Sequence, residues 1–143
     1  MMRGAIVAIS IGMALGACST TYTGPTDAER EAAWNAANVA PTNYKSDVLA
    51  YMRTYLNDPT HVRDAAISPP AEKVVAGTPG QRYVSCVRYN ARRGDGKYGG
   101  DKTGVVMYAN GRLDRFFDTP LLARETCKDA AYQPFPELEK LSR

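Results

Sequence analysis

The sequence contains a single histidine, His61, so any Ser-His-Asp or Cys-His machinery would have to be assembled around that one ring. It also lacks a Gly-x-Ser-x-Gly nucleophile elbow. His61 follows Pro59 closely and is expected in a surface turn. The acid pairs Asp27 with Glu29 and Glu137 with Glu139 fall in segments that read as solvent-exposed. Paired-carboxylate catalysis needs a carboxyl whose pKa burial has raised. An enzyme is therefore not expected. Three cysteines and one histidine, far apart in the chain, supply no metal-ligand spacing, and no metal or cofactor is expected. Long apolar runs are missing as well: the longest falls short of the roughly 20 residues needed to span a bilayer. A net charge of +3 is too small to argue for nucleic acid as a partner.

What is present begins at the N-terminus. Arg3 precedes an apolar stretch over residues 5–15, followed by the small residues Gly16 and Ala17. That is the anatomy of a cleaved signal peptide, residues 1–17. The tetrapeptide Leu15-Gly16-Ala17-Cys18 resembles the lipobox of bacterial lipoproteins. The resemblance implies a thioether-linked diacylglycerol on Cys18, cleavage before that residue, and in many Gram-negative species a third acyl chain on the freed amine. With about 0.8 kcal/mol per buried methylene, two chains already anchor stably. Ser19 follows Cys18, and a non-acidic residue there resembles the outer-membrane sorting signal. The expected location is the cell envelope, lipid-anchored to the outer membrane and facing the periplasm.

Removing residues 1–17 from 143 leaves 126, enough for one domain and a tether. Loss of Arg3 from 18 basic residues leaves 17 against 15 acids. With Cys18 lipidated, Cys86 and Cys127 remain, and an even pair in an oxidising compartment reads as one disulfide.

Residues 18–43 read as a lipidated tether carrying one short helix, near residues 27–38, behind a Thr26/Glu29 capping box. The domain proper, residues 44–143, is expected to be α+β. Its best helix runs over residues 46–56, capped by Ser46, with Val48, Leu49, Met52, Tyr55 and Leu56 turned to the core. Asn57-Asp58-Pro59 ends it. Residues 62–76 read as two extended pieces around Pro69-Pro70. Strands are expected at 81–92, 103–109 and 112–118, the last two joined by the hairpin dipeptide Asn110-Gly111. The result is one or two N-terminal helices packed on a three-stranded antiparallel sheet with one disulfide. The hairpin register stays open between pairing Tyr108 or Met107 with Leu113. One or two helical turns fit within residues 121–131, and regular helix cannot resume before Pro136.

Gly94-Asp95-Gly96-Lys97-Tyr98-Gly99 matches Gly-x-Gly-x-x-Gly, but a strand follows where a dinucleotide site needs a helix N-terminus. It reads as a β-β connection. Around it Arg88, Arg92, Arg93, Lys97 and Lys102 gather near Tyr83, Tyr89 and Tyr98. That mixture grips anions and stacks on rings. Arg88, Arg92, Arg93, Lys97, Tyr98 and Lys102 are the candidate binding surface, for an envelope protein or an anionic envelope polymer.

Two family resemblances add to this reading. Leu56-Asn57-Asp58-Pro59, then Cys86-Val87-Arg88-Tyr89-Asn90-Ala91 and Tyr98-Gly99-Gly100, resemble a recurring small exported bacterial domain over residues 46–109, which implies fold and compartment but no activity. Strand, turn and strand over residues 104–118 are similar to the small lipoprotein of the outer-membrane β-barrel assembly machinery, from which the proline-containing stretch at 62–79 and the disulfide depart. The functional expectation is a non-catalytic envelope lipoprotein that binds a protein or an envelope polymer. The alternative is an inhibitor of a periplasmic or host hydrolase.

Overall fold

The computed structural model describes residues 23–142; the signal peptide, the lipobox and Cys18 lie outside the described residues. Ten elements follow in order: α1 (Asp27–Ala36), α2 (Tyr44–Tyr55), β1 (Asp58–Ile67), β2 (Ala71–Val74), β3 (Gln81–Arg92), β4 (Lys102–Ala109), β5 (Arg112–Phe117), α3 (Pro120–Cys127), β6 (Gln133–Pro134) and α4 (Pro136–Glu139). The fold is α+β, with an antiparallel sheet of six strands rather than three. The strand order is β5-β4-β3-β1-β6, and β2 also pairs with β3.

The strand β3 explains the arrangement. Its residues are apolar on both sides: Val87 and Tyr89 face one way, Val84 and Cys86 the other, all at most 1% exposed. A strand buried on both faces needs two cover layers. On one face α2 and α4 bring Val48, Met52 and Leu138 against Val62, Ile67, Val87, Tyr89, Val106 and Tyr108. On the other, α3 brings Ala123 and Cys127 against Val75, Val84, Cys86, Val105 and Met107, with Trp34 and Phe117 at the margin. Met107 and Phe117 thus belong to the second core, away from α2.

The helix α2 starts two residues before Ser46, behind Asn43, and ends at the turn before Pro59. Val48 and Met52 are fully buried, whereas Tyr55 is 36% exposed. Asp47 Oδ2 accepts from Leu113 N at 3.2 Å and Arg112 Nε at 3.1 Å, fastening α2 to the hairpin. The hairpin takes the two-residue turn, pairing Tyr108 with Leu113 and Ala109 with Arg112. Asn110 and Gly111 both have positive φ, 52° and 72°, as that tight turn requires.

The strand β1 was legible only as an extended piece beyond residue 62. It begins at Asp58 and carries two register shifts against β3, between Asp58 and Arg63 and between Arg63 and Ala66. His61 and Asp64 take up the extra length with φ of 59° and 53°. His61 therefore sits exposed in a bulged strand, not in a turn. Extra residues in one strand bend it and re-aim its side chains.

The helix α1 has the capping box in full, with Thr26 and Glu29 exchanging hydrogen bonds, and buries no residue completely. The segment expected as tether nonetheless meets the domain. Trp34 Nε1 donates to Gln81 O at 3.1 Å, Asn38 Oδ1 accepts from Tyr83 N at 3.0 Å, and Asn110 N donates to Ala37 O at 2.7 Å. Among the described residues no helix is long and apolar enough to cross a membrane.

Cys86 and Cys127 form a disulfide with a Cα separation of 5.8 Å, 41 residues apart in sequence. The chain-entropy model gives about 4 kcal/mol for a loop of that size. Cys86→Ser with Cys127→Ser is expected to lose about 3–4 kcal/mol in urea unfolding, with no further loss on adding reductant. Packing yields a second prediction. A Cβ on Gly104 would overlap the Phe116 ring, so Gly104→Ala should destabilise by about 1–3 kcal/mol, and Phe116→Leu should recover part of it in the double variant.

Candidate functional site

The six residues of the expected binding surface do not form one patch. Arg88 separates from the rest: its guanidinium stands 5.1 Å from the Tyr132 ring centroid, beside β6. Lys97 lies in the exposed loop between β3 and β4. That loop is a hydrogen-bonded turn, with Arg93 N donating to Lys97 O at 2.8 Å and Gly96 N to Arg93 O at 2.9 Å. It is the β-β connection expected of the glycine pattern.

Tyr98 is occupied. Its hydroxyl donates to His61 O at 2.8 Å, and its ring receives Arg63 at 3.9 Å and Arg92 at 5.4 Å. The bulge at His61 makes this contact available, since it turns Arg63 onto the ring. Arg92 is further held by Asp58 at 4.0 Å. Tyr98 therefore fixes the position of Arg92 instead of standing free to stack on a ligand.

Arg92, Arg93 and Lys102 do come together. With Tyr55, Asn57 and Tyr89 they line a cleft of about 190 Å³ between the end of α2 and the ends of β3 and β4. Arg93 is paired with Asp95 at 3.1 Å, both exposed. Lys102 is exposed and makes no ion pair among the described residues. The cleft thus has a cationic rim over a phenolic floor.

The floor holds two polar atoms without partners. Tyr89 is 1% exposed, and neither its hydroxyl nor Arg92 Nε has a hydrogen-bond partner among the described residues. The neighbouring Tyr55 hydroxyl donates to Asp118 Oδ2 at 2.5 Å. The two phenols are close enough to influence each other's ionisation. An unsatisfied buried hydroxyl costs about 1–3 kcal/mol. Burial is the first cause that holds the Tyr89 pKa above the ordinary tyrosine value.

Beside the cleft, Tyr51, Tyr55 and Phe116 form an aromatic cluster with ring centroids 4.9–5.4 Å apart. Tyr55 and Asn57 were not among the expected site residues. Asn57 precedes the helix-ending Asp58-Pro59, and Tyr55 was assigned to the core. Tyr55 is 36% exposed in the fold, which helical spacing does not disclose. His61 remains a surface residue, its Nδ1 3.0 Å from Thr60 Oγ1. Among the described residues no group of three or more His, Cys, Asp and Glu side chains is placed to hold a metal ion.

Four phenols, partly or fully buried, couple the fold to alkaline pH. Tyr55, Tyr89, Tyr108 and Tyr132 all have pKa values raised above 10.0, with burial the largest cause in each. The unfolded chain gives up these protons first. Their contribution is complete below pH 10 and is lost as pH rises through the folded values. Urea unfolding between pH 8 and 11.5 should show a plateau and then a decline above about pH 10. Tyr89→Phe should decline less steeply and, at pH 8, be unchanged or up to about 1 kcal/mol more stable, because it removes a hydroxyl that the fold leaves unpaired. A loss of more than that at pH 8 would show the hydroxyl to be bonded. Compared with protein-family models, curated proteins and solved structures, the chain matches none.

Proposed function

We propose that this protein is a non-catalytic cell-envelope lipoprotein, anchored by acyl chains on Cys18, whose folded part binds an anionic envelope polymer at the cleft between α2 and the β3–β4 loop. The observation that carries this reading is the convergence of Arg92, Arg93 and Lys102 on a floor where the Tyr89 hydroxyl and Arg92 Nε lack partners. Buried donors of this kind are normally satisfied. An anionic oxygen entering the cleft would meet the exposed Arg93 and Lys102 first, and these rim cations would supply attraction over a Debye length. The exposed part of Tyr55 offers a ring edge beside those charges, the combination suited to a sugar bearing phosphate or carboxylate.

The anchor reading and the cleft support each other in one respect. A domain tethered to a membrane meets its polymer at high effective concentration, so a small cleft with few contacts suffices. Cosedimentation of the native protein with isolated peptidoglycan sacculi and with lipopolysaccharide tests the proposal. Arg93→Glu with Lys102→Glu is expected to weaken binding by at least about tenfold, or 1.4 kcal/mol, and to flatten its salt dependence. Both side chains lie on the surface, so the fold should stand. Retention of full binding by this variant, or no binding of either polymer by the native protein, would remove the cleft from the proposal.

A further inference from the structure

A second meeting of arginine and aromatic ring lies on the opposite face of the sheet, at the first end of β3. Arg82 is 4% exposed and makes no ion pair among the described residues. Its Nη1 donates to Trp34 O at 2.8 Å. Its guanidinium carbon stands 3.8 Å from the Trp34 ring centroid, and its Nε has no acceptor among the described residues. Burial disfavours this cation, Arg115 adds to the effect and Asp114 opposes it. A buried cation without a paired anion is costly to hold, and stacking on an indole together with the attraction of Asp114 offsets only part of that cost.

Arg82 lines a cleft of about 550 Å³ between α1 and the β4–β5 hairpin, together with Arg30, Trp34, Asp114 and Arg115. The two outer arginines are exposed. Arg30 is held by Asp27 and by the carbonyl of Pro25, and Arg115 by Asp114 at 3.5 Å. Arg82 is therefore the cation of this cleft with no ion-pair partner of its own among the described residues, Asp114 acting on it only from beyond ion-pair distance. With Nη1 committed to a carbonyl, the remaining edge of the guanidinium is Nε with Nη2. That edge carries two parallel N–H groups, the geometry in which arginine grips an oxyanion with two hydrogen bonds, and its Nε is shielded from solvent in the unliganded fold.

We propose that the cleft beneath α1 is a phosphate site, with Arg82 its buried cation, Trp34 the wall that holds the guanidinium in plane, and Arg30 and Arg115 its rim. Phosphate suits it better than carboxylate. A planar carboxylate spends both oxygens on one guanidinium, whereas a tetrahedral phosphate still has oxygens for the rim. The site lies across the sheet from the Tyr89 cleft, and neither reading depends on the other.

Inorganic phosphate is the probe, titrated into the full chain in detergent and followed through the Nε–H resonances of nitrogen-15-labelled arginine. One resonance, assigned by its disappearance in Arg82→Lys, is expected to shift saturably with phosphate and not with chloride at equal ionic strength. Arg30→Ala with Arg115→Ala changes only exposed side chains and should weaken the titration by at least about fivefold. Arg93→Glu with Lys102→Glu should leave it unchanged, which separates this site from the other cleft. Competition by phosphatidylglycerol vesicles would make the bound phosphate a lipid head group, and its absence a soluble phosphate ester. No saturable shift at Arg82, or one indifferent to the rim substitutions, overturns the proposal.

Discussion

The two-sided burial of β3 is the constraint from which the rest of the structure descends. A strand apolar on one face could have rested on α2 alone, with water behind it. Because Val84 and Cys86 are as fully buried as Val87 and Tyr89, the chain must furnish a second layer. It does so late, with α3 and the loop after it, and locks that layer down through the one covalent bond between Cys86 and Cys127. The second core is the smaller, and α3 is only eight residues long, so a cross-link there acts where noncovalent area is least.

How much of this the sequence discloses depends on whether local rules agree with the tertiary outcome. The limits of β3 are legible because a run of β-branched and aromatic residues is closed by glycine and proline on one side and glycine on the other. The hairpin is legible because Asn-Gly favours one turn geometry. By contrast, β1 is obscured by its own bulges: left-handed residues at His61 and Asp64 break the alternation by which strands are recognised. The two-residue β6 is too short to have a pattern at all. Ser46 looked like a helix cap because the apolar period starts at Val48, yet the turn before Tyr44 lets the helix begin earlier.

The basic cluster shows a similar division. Strand parity alone separates Arg88 from Tyr89, a distinction available in the sequence and decisive in space, where Arg88 goes to Tyr132. Nothing in the sequence indicates that Arg63, from another strand, takes the face of Tyr98. Nor does it indicate that Arg82, one residue into a strand, is sealed under the only tryptophan. Long-range stacking of this sort is fixed by topology and leaves no local trace. Both clefts arise from the same circumstance: strand ends, where main-chain pairing stops, are places at which a buried polar atom is most easily left without a partner.

The attachment of α1 has a mechanical meaning. The helix spans ten residues, about 15 Å, buries none of them fully, and meets the body at its far end through Trp34, Ala37 and Asn38. It is a lever whose fulcrum is the indole resting on Arg82. A tug arriving along the chain at Thr26 is multiplied by the length of that arm and loads the indole–guanidinium stack first. Tension at the N-terminal end would therefore enter the body at the margin of the second core, where Trp34 packs.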